Sequence, residues 1–303
     1  MIIIKGLTKF YNKKSPPAIS DVSFEVKNGE LVGFVGLNGA GKTTTLRISS
    51  GIILPSRGSV EIDGFDIVND KVEASYRLGF VPEIPNFDPN AKGLDLLIYF
   101  MGFYGITGRE AREKARELFM LVGLEGAENK KINSYSQGMK KRFSLAASLI
   151  SDPQNLLLDE VLNGLDPSGI KFFRDFIMEI KSRNKAILLS SHILSEVQTL
   201  SDKVVIIHKG KIIKQITREE LERIGEREIR ISVEGDIKEA EKILLYYGNL
   251  RKEGGKFILT NFKAEPYDVN FALVSRGIKV KEFLTVNQNL EDYFLNLIKT
   301  QGG

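Results

Sequence analysis

The sequence predicts an α/β fold for most of the chain, followed by a smaller α+β domain. Three observations predict it. Leu31-Val32-Gly33-Phe34-Val35 is an apolar run with β-branched residues, the pattern of a buried strand, and it leads directly into the glycine-rich stretch Gly36-Leu37-Asn38-Gly39-Ala40-Gly41-Lys42-Thr43-Thr44. Two later apolar runs, residues 154–160 and 185–191, also end at polar or charged residues and are separated by an amphipathic helical stretch. Beyond residue 228 the pattern restarts in the order β-α-β-β-α-β, which is that of a ferredoxin-like domain.

Composition sets the outer limits. At 303 residues, 42% apolar and 27% charged, the chain has the make-up of a soluble globular protein with room for more than one domain. A net charge of +4 is too slight to point to nucleic acid, and none is expected as a partner. The absence of cysteine excludes disulfides and thiolate metal sites, and suits a reducing compartment without requiring one. Met1-Ile2-Ile3-Ile4-Lys5 is far too short for the apolar core of a signal peptide. The longest apolar stretch, residues 94–106, contains Asp95 and falls short of the ~20 residues a membrane span needs. Any membrane connection is therefore expected to run through a partner.

Taken in order, residues 1–5, 22–26 and 58–64 are short apolar or alternating runs, expected to form an antiparallel sheet beside the glycine loop. Tyr11 is the exposed-looking aromatic of this region, and two readings stand: a hairpin aromatic packed on its own sheet, or a flat face for a nucleobase. Gly36, Gly41, Lys42 and Thr43 satisfy the phosphate-loop template G-x-x-x-x-G-K-[ST], with a strand before it and a helix opening after it. Residues 94–123 turn helical, and over 109–121 the charges lie opposite Ala111, Ala115, Leu118 and Phe119. Ser134-Tyr135-Ser136-Gln137-Gly138-Met139-Lys140-Lys141-Arg142 precedes a run of helix formers. Ser136 is placed as an N-cap there, and a helix amino terminus with small residues is also a ready anion site.

The apolar run 154–160 stops at Asp159 and Glu160, and adjacent acids at the end of a buried strand need compensation. Beside a phosphate loop, a magnesium ion and a nucleotide supply it. Leu165-Asp166-Pro167 opens an amphipathic helix over 168–181. The strand over 185–191 then ends at His192, either a structural histidine or one at the ligand-bearing edge of an open α/β sheet. Residues 204–208 and 211–216 form a hairpin about Lys209-Gly210, and His208 at that turn is given no role. Residues 219–228 read as a linker or a short surface helix. In the tail, strands over 228–233 and 279–284, a hairpin about Gly254-Gly255, and helices over 238–246, 267–274 and 290–298 carry no site motif.

With these motifs in order, the chain resembles the ATP-binding cassette (ABC) ATPases, and within them the subunits of multidrug, antibiotic-resistance and ABC-2 type exporters. The resemblance implies a P-loop NTPase core with a RecA-like parallel sheet, an antiparallel β subdomain and a helical signature subdomain over residues 1–217, with the accessory α+β domain over 218–303. It implies that Tyr11 stacks on adenine, that residues 36–44 hold the phosphates with Lys42, and that Thr43 and Asp159 serve Mg²⁺. Glu160 would orient the attacking water and His192 sense the γ-phosphate. Tyr135-Ser136-Gln137-Gly138-Met139 matches the signature, which in the family acts on ATP held by the opposite subunit, and Asn163-Gly164-Leu165-Asp166 matches the D-loop.

The implied protein is an ATPase that works as a homodimer or heterodimer. It would drive a separate transmembrane permease from the cytoplasmic face of the cell membrane.

Three departures from the family pattern stand out. Glu83 occupies the Q-loop position where glutamine is usual; a carboxylate there can meet Mg²⁺ but cannot donate an amide hydrogen bond. In the signature, Gln137 stands where glycine is usual and Tyr135 where leucine is common, and Val161-Leu162 replaces the usual proline-threonine pair after Glu160. A soluble ABC ATPase of translation or DNA maintenance is the alternative, though neither a second cassette nor a long coiled-coil insertion is visible. A ligand-sensing role for residues 226–298 is a third reading. No N-K-x-D motif supports a GTPase.

Overall fold

The computed structural model describes residues 1–12, 14–224, 227–287 and 289–301. The chain divides into two compact units, Met1–Thr217 and Arg218–Gly303. Gly225 and Glu226, at the start of the proposed sensor segment, lie outside the described residues.

In the first unit, β1 (Ile2–Lys9), β2 (Ile19–Val26), β3 (Leu31–Val35), α1 (Lys42–Ser49), β4 (Arg57–Ile62), β5 (Phe65–Asp66), α2 (Lys71–Tyr76) and β6 (Leu78–Val81) come first. Then follow α3 (Gly93–Gly102), α4 (Gly108–Leu121), α5 (Gln137–Ser148), β7 (Asn155–Asp159), α6 (Pro167–Ser182), β8 (Ala186–Ser190), α7 (Leu194–Leu200), β9 (Lys203–His208) and β10 (Lys211–Thr217). Two sheets result. One is antiparallel, in the order β2-β1-β4-β5; the other runs β10-β9-β3-β8-β7-β6 and is parallel except for β10. This is the expected parallel core with an antiparallel sheet beside it.

Burial explains the layers. β3, β7 and β8 are buried at every position, as strands covered on both faces must be. One face carries the core shared with the antiparallel sheet, where Ile2, Ile4 and Phe24 meet Phe34, Leu188 and Val205. The other carries a helical layer in which Met101, Phe119, Phe143 and Phe173 pack toward Leu156, Leu158 and Leu189.

Two details go beyond the expected elements. Residues 94–123, read only as helical, form two helices, and Gly105 and Gly108, with φ of 75° and 62°, turn the chain between the end of α3 at Gly102 and the rest of α4. β6 was not expected as a strand. It holds Gly79, where a Cβ would stand 2.6 Å from the Ser148 carbonyl oxygen, so close packing of α5 on β6 excludes any side chain.

The second unit contains α8 (Arg218–Ile224), β11 (Arg227–Glu234), α9 (Ile237–Tyr247), β12 (Asn249–Glu253), β13 (Lys256–Thr260), α10 (Pro266–Ser275), β14 (Lys279–Asn287) and α11 (Leu290–Gln301). Its sheet order, β12-β13-β11-β14, is antiparallel throughout and places the hairpin strand β13 beside β11, the split-βαβ arrangement. Ile229, Ile231, Leu244, Leu259, Val269 and Leu273 form its core. Asp236 caps α9 by accepting from the Lys238 and Glu239 N–H groups.

Candidate active site

The site lies at the carboxyl edge of the parallel sheet, where strand ends release the chain into loops. β3 delivers the glycine loop, β6 delivers Pro82 and Glu83, β7 delivers Asp159 and Glu160, and β8 delivers Ser190, Ser191 and His192. Between them is a cleft of about 460 Å³ lined by Asn38, Gly39, Gly41, Lys42, Thr43, Thr44, Glu83, Glu160, Asn163, His192 and Ala18.

The glycines of the loop are required by space and by backbone angle. A Cβ at Gly36 would lie 2.4 Å from the Ile207 carbonyl oxygen, and Gly41 has φ 113° with Ile19 Cγ2 only 2.5 Å from where a Cβ would be. Gly41 then opens α1, leaving that helix's first N–H groups at the cleft. Lys42 is buried, donating to the Gly36 carbonyl at 2.8 Å and standing 3.3 Å from Glu160 Oε1.

The two acids sit in different surroundings. Asp159 is enclosed, accepting from Ser190 Oγ at 2.6 Å with Thr43 Oγ1 at 3.5 Å. Burial pushes its pKa above the ordinary carboxylate value, the Ser190 and Thr43 hydrogen bonds work against that, and the charges of Glu160 and Glu83 add to it. Glu160 follows with φ 49°, a left-handed backbone that turns its side chain off the strand end into the cleft. Its N–H reaches Ser190 Oγ at 3.0 Å, and its Oε2 is 3.2 Å from the His192 backbone nitrogen and 2.7 Å from His192 Nδ1. The result is a buried cation and loop N–H groups facing two carboxylates, an arrangement that can grip an anion and place a base beside it.

The structure brings residues 38, 39 and 41–44, Glu83, Glu160 and His192 together around one cleft, with Asp159 directly behind. Ala40 packs in the core and Leu37 is half exposed. Tyr11 does not line the cleft; it is 65% exposed, with its hydroxyl 3.4 Å from Thr44 Oγ1 and Lys9 Nζ 5.5 Å from its ring centroid.

The signature residues stand apart from this chain's own cleft. Ser136 caps α5, its Oγ accepting from Met139 N–H at 3.2 Å, and Gln137 is exposed beside Gly164. Gly138 and Met139 are half-buried in the same first turn. Tyr135 is buried, donates to the Ala127 carbonyl, and its phenol is pushed up to about 12, first by burial and then by Glu128. Asp166 is exposed and caps α6, accepting from Gly169 N–H and from the Ser168 hydroxyl, hydrogen bonds that hold its carboxyl below the usual range.

Ser190 and Lys141 were not singled out from the sequence, and Asn163 was named only as the start of the D-loop. Ser190 joins both acids, Asn163 Nδ2 donates to Glu83 Oε1 at 3.4 Å, and Lys141 is buried behind the Glu160 turn. The polar pair Ser190-Ser191 at the end of an otherwise apolar strand was the available signal for the first. Val161 and Leu162 are fully buried in the helical-layer core, which accounts for apolar residues after Glu160.

Comparison with known proteins adds the lineage. The ABC transporter family profile matches residues 19–163. The bacitracin transport ATP-binding protein BcrA of Bacillus licheniformis is 34% identical over 96% of this chain and 95% of its own length. The doxorubicin resistance ATP-binding protein DrrA of Mycobacterium tuberculosis is 34% identical over 86% of this chain and 78% of its own. A solved ATP-binding subunit of an ABC transporter superposes with a TM-score of 0.67 at 28% identity, covering 74% of this chain and 92% of that one. A dimeric cassette bound to ADP and Pi shares the fold, with a TM-score of 0.66 at 24% identity, covering 72% of this chain and 99% of that one. By its near-full-length likeness to such relatives, this chain belongs to the ABC transporter family, as one of its ATP-binding proteins.

Proposed function

We propose that this ABC ATPase powers a separate transmembrane permease, as the energising subunit of an exporter. In this reading two ATP-binding subunits face each other and share each ATP between them. Among the described residues no helix is long and apolar enough to cross a membrane, so the chain would sit on the cytoplasmic face through its permease. The likeness to transport and resistance proteins along nearly the whole chain supports the exporter assignment.

The observation that carries the reading is the division of motifs between two surfaces. The phosphate loop, Glu160 and His192 line one cleft, whereas Ser136–Met139 open a different helix outside it. A second subunit that presents its own Ser136 turn would complete the cleft. Lys42 and the loop N–H groups would hold the β- and γ-phosphates. Tyr11, at the rim, would stack on adenine by its exposed face.

The residues present fit Mg²⁺. Thr43 Oγ1 and Asp159 Oδ1 are 3.5 Å apart, too long for a strong hydrogen bond, and among the described residues no cationic side chain forms an ion pair with the buried carboxylate. Thr43 and Asp159, with Glu83 at the far wall, would hold the ion, which when bound neutralises developing phosphate charge. Glu160 would orient and polarise the attacking water; Lys42 and His192 on its two oxygens fix where the carboxylate points. His192 would also contact the γ-phosphate.

The permease would dock at an apolar groove lined by Val72, Tyr76, Phe100, Phe103 and Tyr104, of which Val72 and Phe103 are well over half exposed. Tyr104 also borders the neighbouring pocket walled by Phe80 and Pro82, so the groove adjoins the segment leading to Glu83.

The test is assembly. Glu160→Gln protein should bind ATP without turning it over and elute as a dimer only with ATP. A monomer at saturating ATP would refute the shared-site reading.

A further inference from the structure

Lys141 is among the largest fully buried side chains of the molecule, 1% exposed, and it lies in α5 within the run Lys140-Lys141-Arg142. Its ammonium donates to three backbone carbonyls: Glu160 at 2.9 Å, Val161 at 3.2 Å and Asn163 at 2.7 Å. That uses every donor a lysine has. All three acceptors belong to the turn that follows Asp159.

Burying an ammonium is expensive, and an apolar side chain would fill the same space without that cost. Burial pushes the pKa of Lys141 down, and the negative charges of Glu83, Glu160 and Asp159 pull it back up. The side chain thus lies near the acids of the cleft while bonding only to backbone carbonyls. The turn it holds is the one that places Glu160 at φ 49°, a conformation that is strained for a non-glycine residue and persists only where its surroundings enforce it.

The start of α5 also packs on this turn. A Cβ at Gly164 would lie 3.4 Å from the Gln137 amide, and one at Gly138 would lie 3.5 Å from Leu165 Cδ2. Helix and turn therefore share two sets of contacts, one polar and buried, the other at the helix tip.

We propose that Lys141 is a positioning residue for ATP hydrolysis: its ammonium clamps the turn over residues 160–163, sets where the Glu160 carboxylate lies, and makes that turn follow any displacement of α5. The inference rests on the assignment of Glu160 as the water-orienting residue. In the shared-site dimer, seating of the Ser136 turn on a partner's nucleotide reaches this subunit's own Glu160 through Lys141.

The test uses the purified full chain, steady-state ATP turnover and nucleotide affinity. Wild type and Glu160→Gln come first: if Glu160→Gln turns over as wild type does, the Glu160 assignment has failed, independently of Lys141. With that control in place, Lys141→Met should lower kcat by ~10–100-fold, the size of effect a misplaced catalytic group produces, with KM and nucleotide affinity within about twofold of wild type. Turnover within twofold of wild type overturns the proposal. So does a parallel loss of kcat and nucleotide affinity, which would mark Lys141 as a general packing residue. If Lys141→Met fails to fold, Lys141→Gln, which keeps two donors, should fall below wild type in kcat at unchanged KM; wild-type kcat there overturns the clamp equally.

Discussion

The two units differ in whether any of their buried charge reaches a cleft. In the second unit the one buried acid among the described residues, Glu228, is satisfied from within: Arg251 Nη2 donates to its Oε1 at 2.6 Å and Arg230 approaches Oε2 at 3.4 Å. In the first unit Lys141 and Lys185 are also satisfied from within, but Lys42, at the start of α1, and Glu160, just past the end of β7, are buried and line a cleft, with Asp159 beside them. Closed pairs of charge stabilise a fold or leave it unchanged; charges aimed into a cleft are arranged for something that enters. The units therefore differ in what some of their buried charges are for, although helices pack on sheets in both.

The strongest way to break this comparison is Lys42→Ala. Removing the cation that faces the loop should abolish phosphate release, a loss of ~10³-fold or more, while circular dichroism stays that of the native fold. Retained turnover would mean that the cleft charges are structural after all.

Next in size is a change confined to the second unit's core. Leu259→Ala should cost about 2–5 kcal/mol, moving the unfolding transition of residues 218–303 in urea and leaving that of residues 1–217 in place. A single transition that shifts as a whole would show the two units to be one cooperative body.

A smaller effect comes from Asp159, whose folded pKa is raised by burial. For an acid so shifted, the proton contributes stability below the ordinary carboxylate pKa, and that contribution is lost as pH rises through the raised value. At neutral pH the charge is thus a liability for the nucleotide-free protein. Asp159→Asn should melt higher than wild type at neutral pH, with the gap closing in acid, and should lose the Mg²⁺ dependence of nucleotide affinity. A lower melting temperature at neutral pH would contradict the sign.

The smallest effect is expected at Glu228. Glu228→Gln frees two arginines that are already part exposed to water, so the cost should be within ~1–2 kcal/mol, read from urea unfolding, with turnover unchanged. A change in turnover would give this closed cluster a role that its geometry does not suggest.

Much of both units is legible in the sequence because the signals are local. Leu31–Val35 and Asn155–Asp159 announce themselves as apolar runs, the glycine loop by its template, and the tail by strand and helix order. β6 is not legible, since its four residues include Gly79 and its strand character comes from pairing with β7. Lys141 is hidden for a different reason: it sits in a cationic run that looks solvated. Its spacing to Ser144 and Leu145, both buried, was the only hint that it faces inward. Tyr11 shows the limit from the other side: its exposure is as read from the sequence, but that it stays out of the cleft lining is visible only once the chain is folded.

The left-handed backbone of Glu160 sets the protein's fold at odds with the water-orienting role proposed for that residue. Glycine or asparagine would relax that angle, and either would lose the carboxylate. A library selected only for well-folded, heat-resistant protein should therefore drift away from glutamate at position 160, whereas one selected for ATP turnover should hold it. Which residue accumulates there reports whether a population is being chosen for endurance or for work.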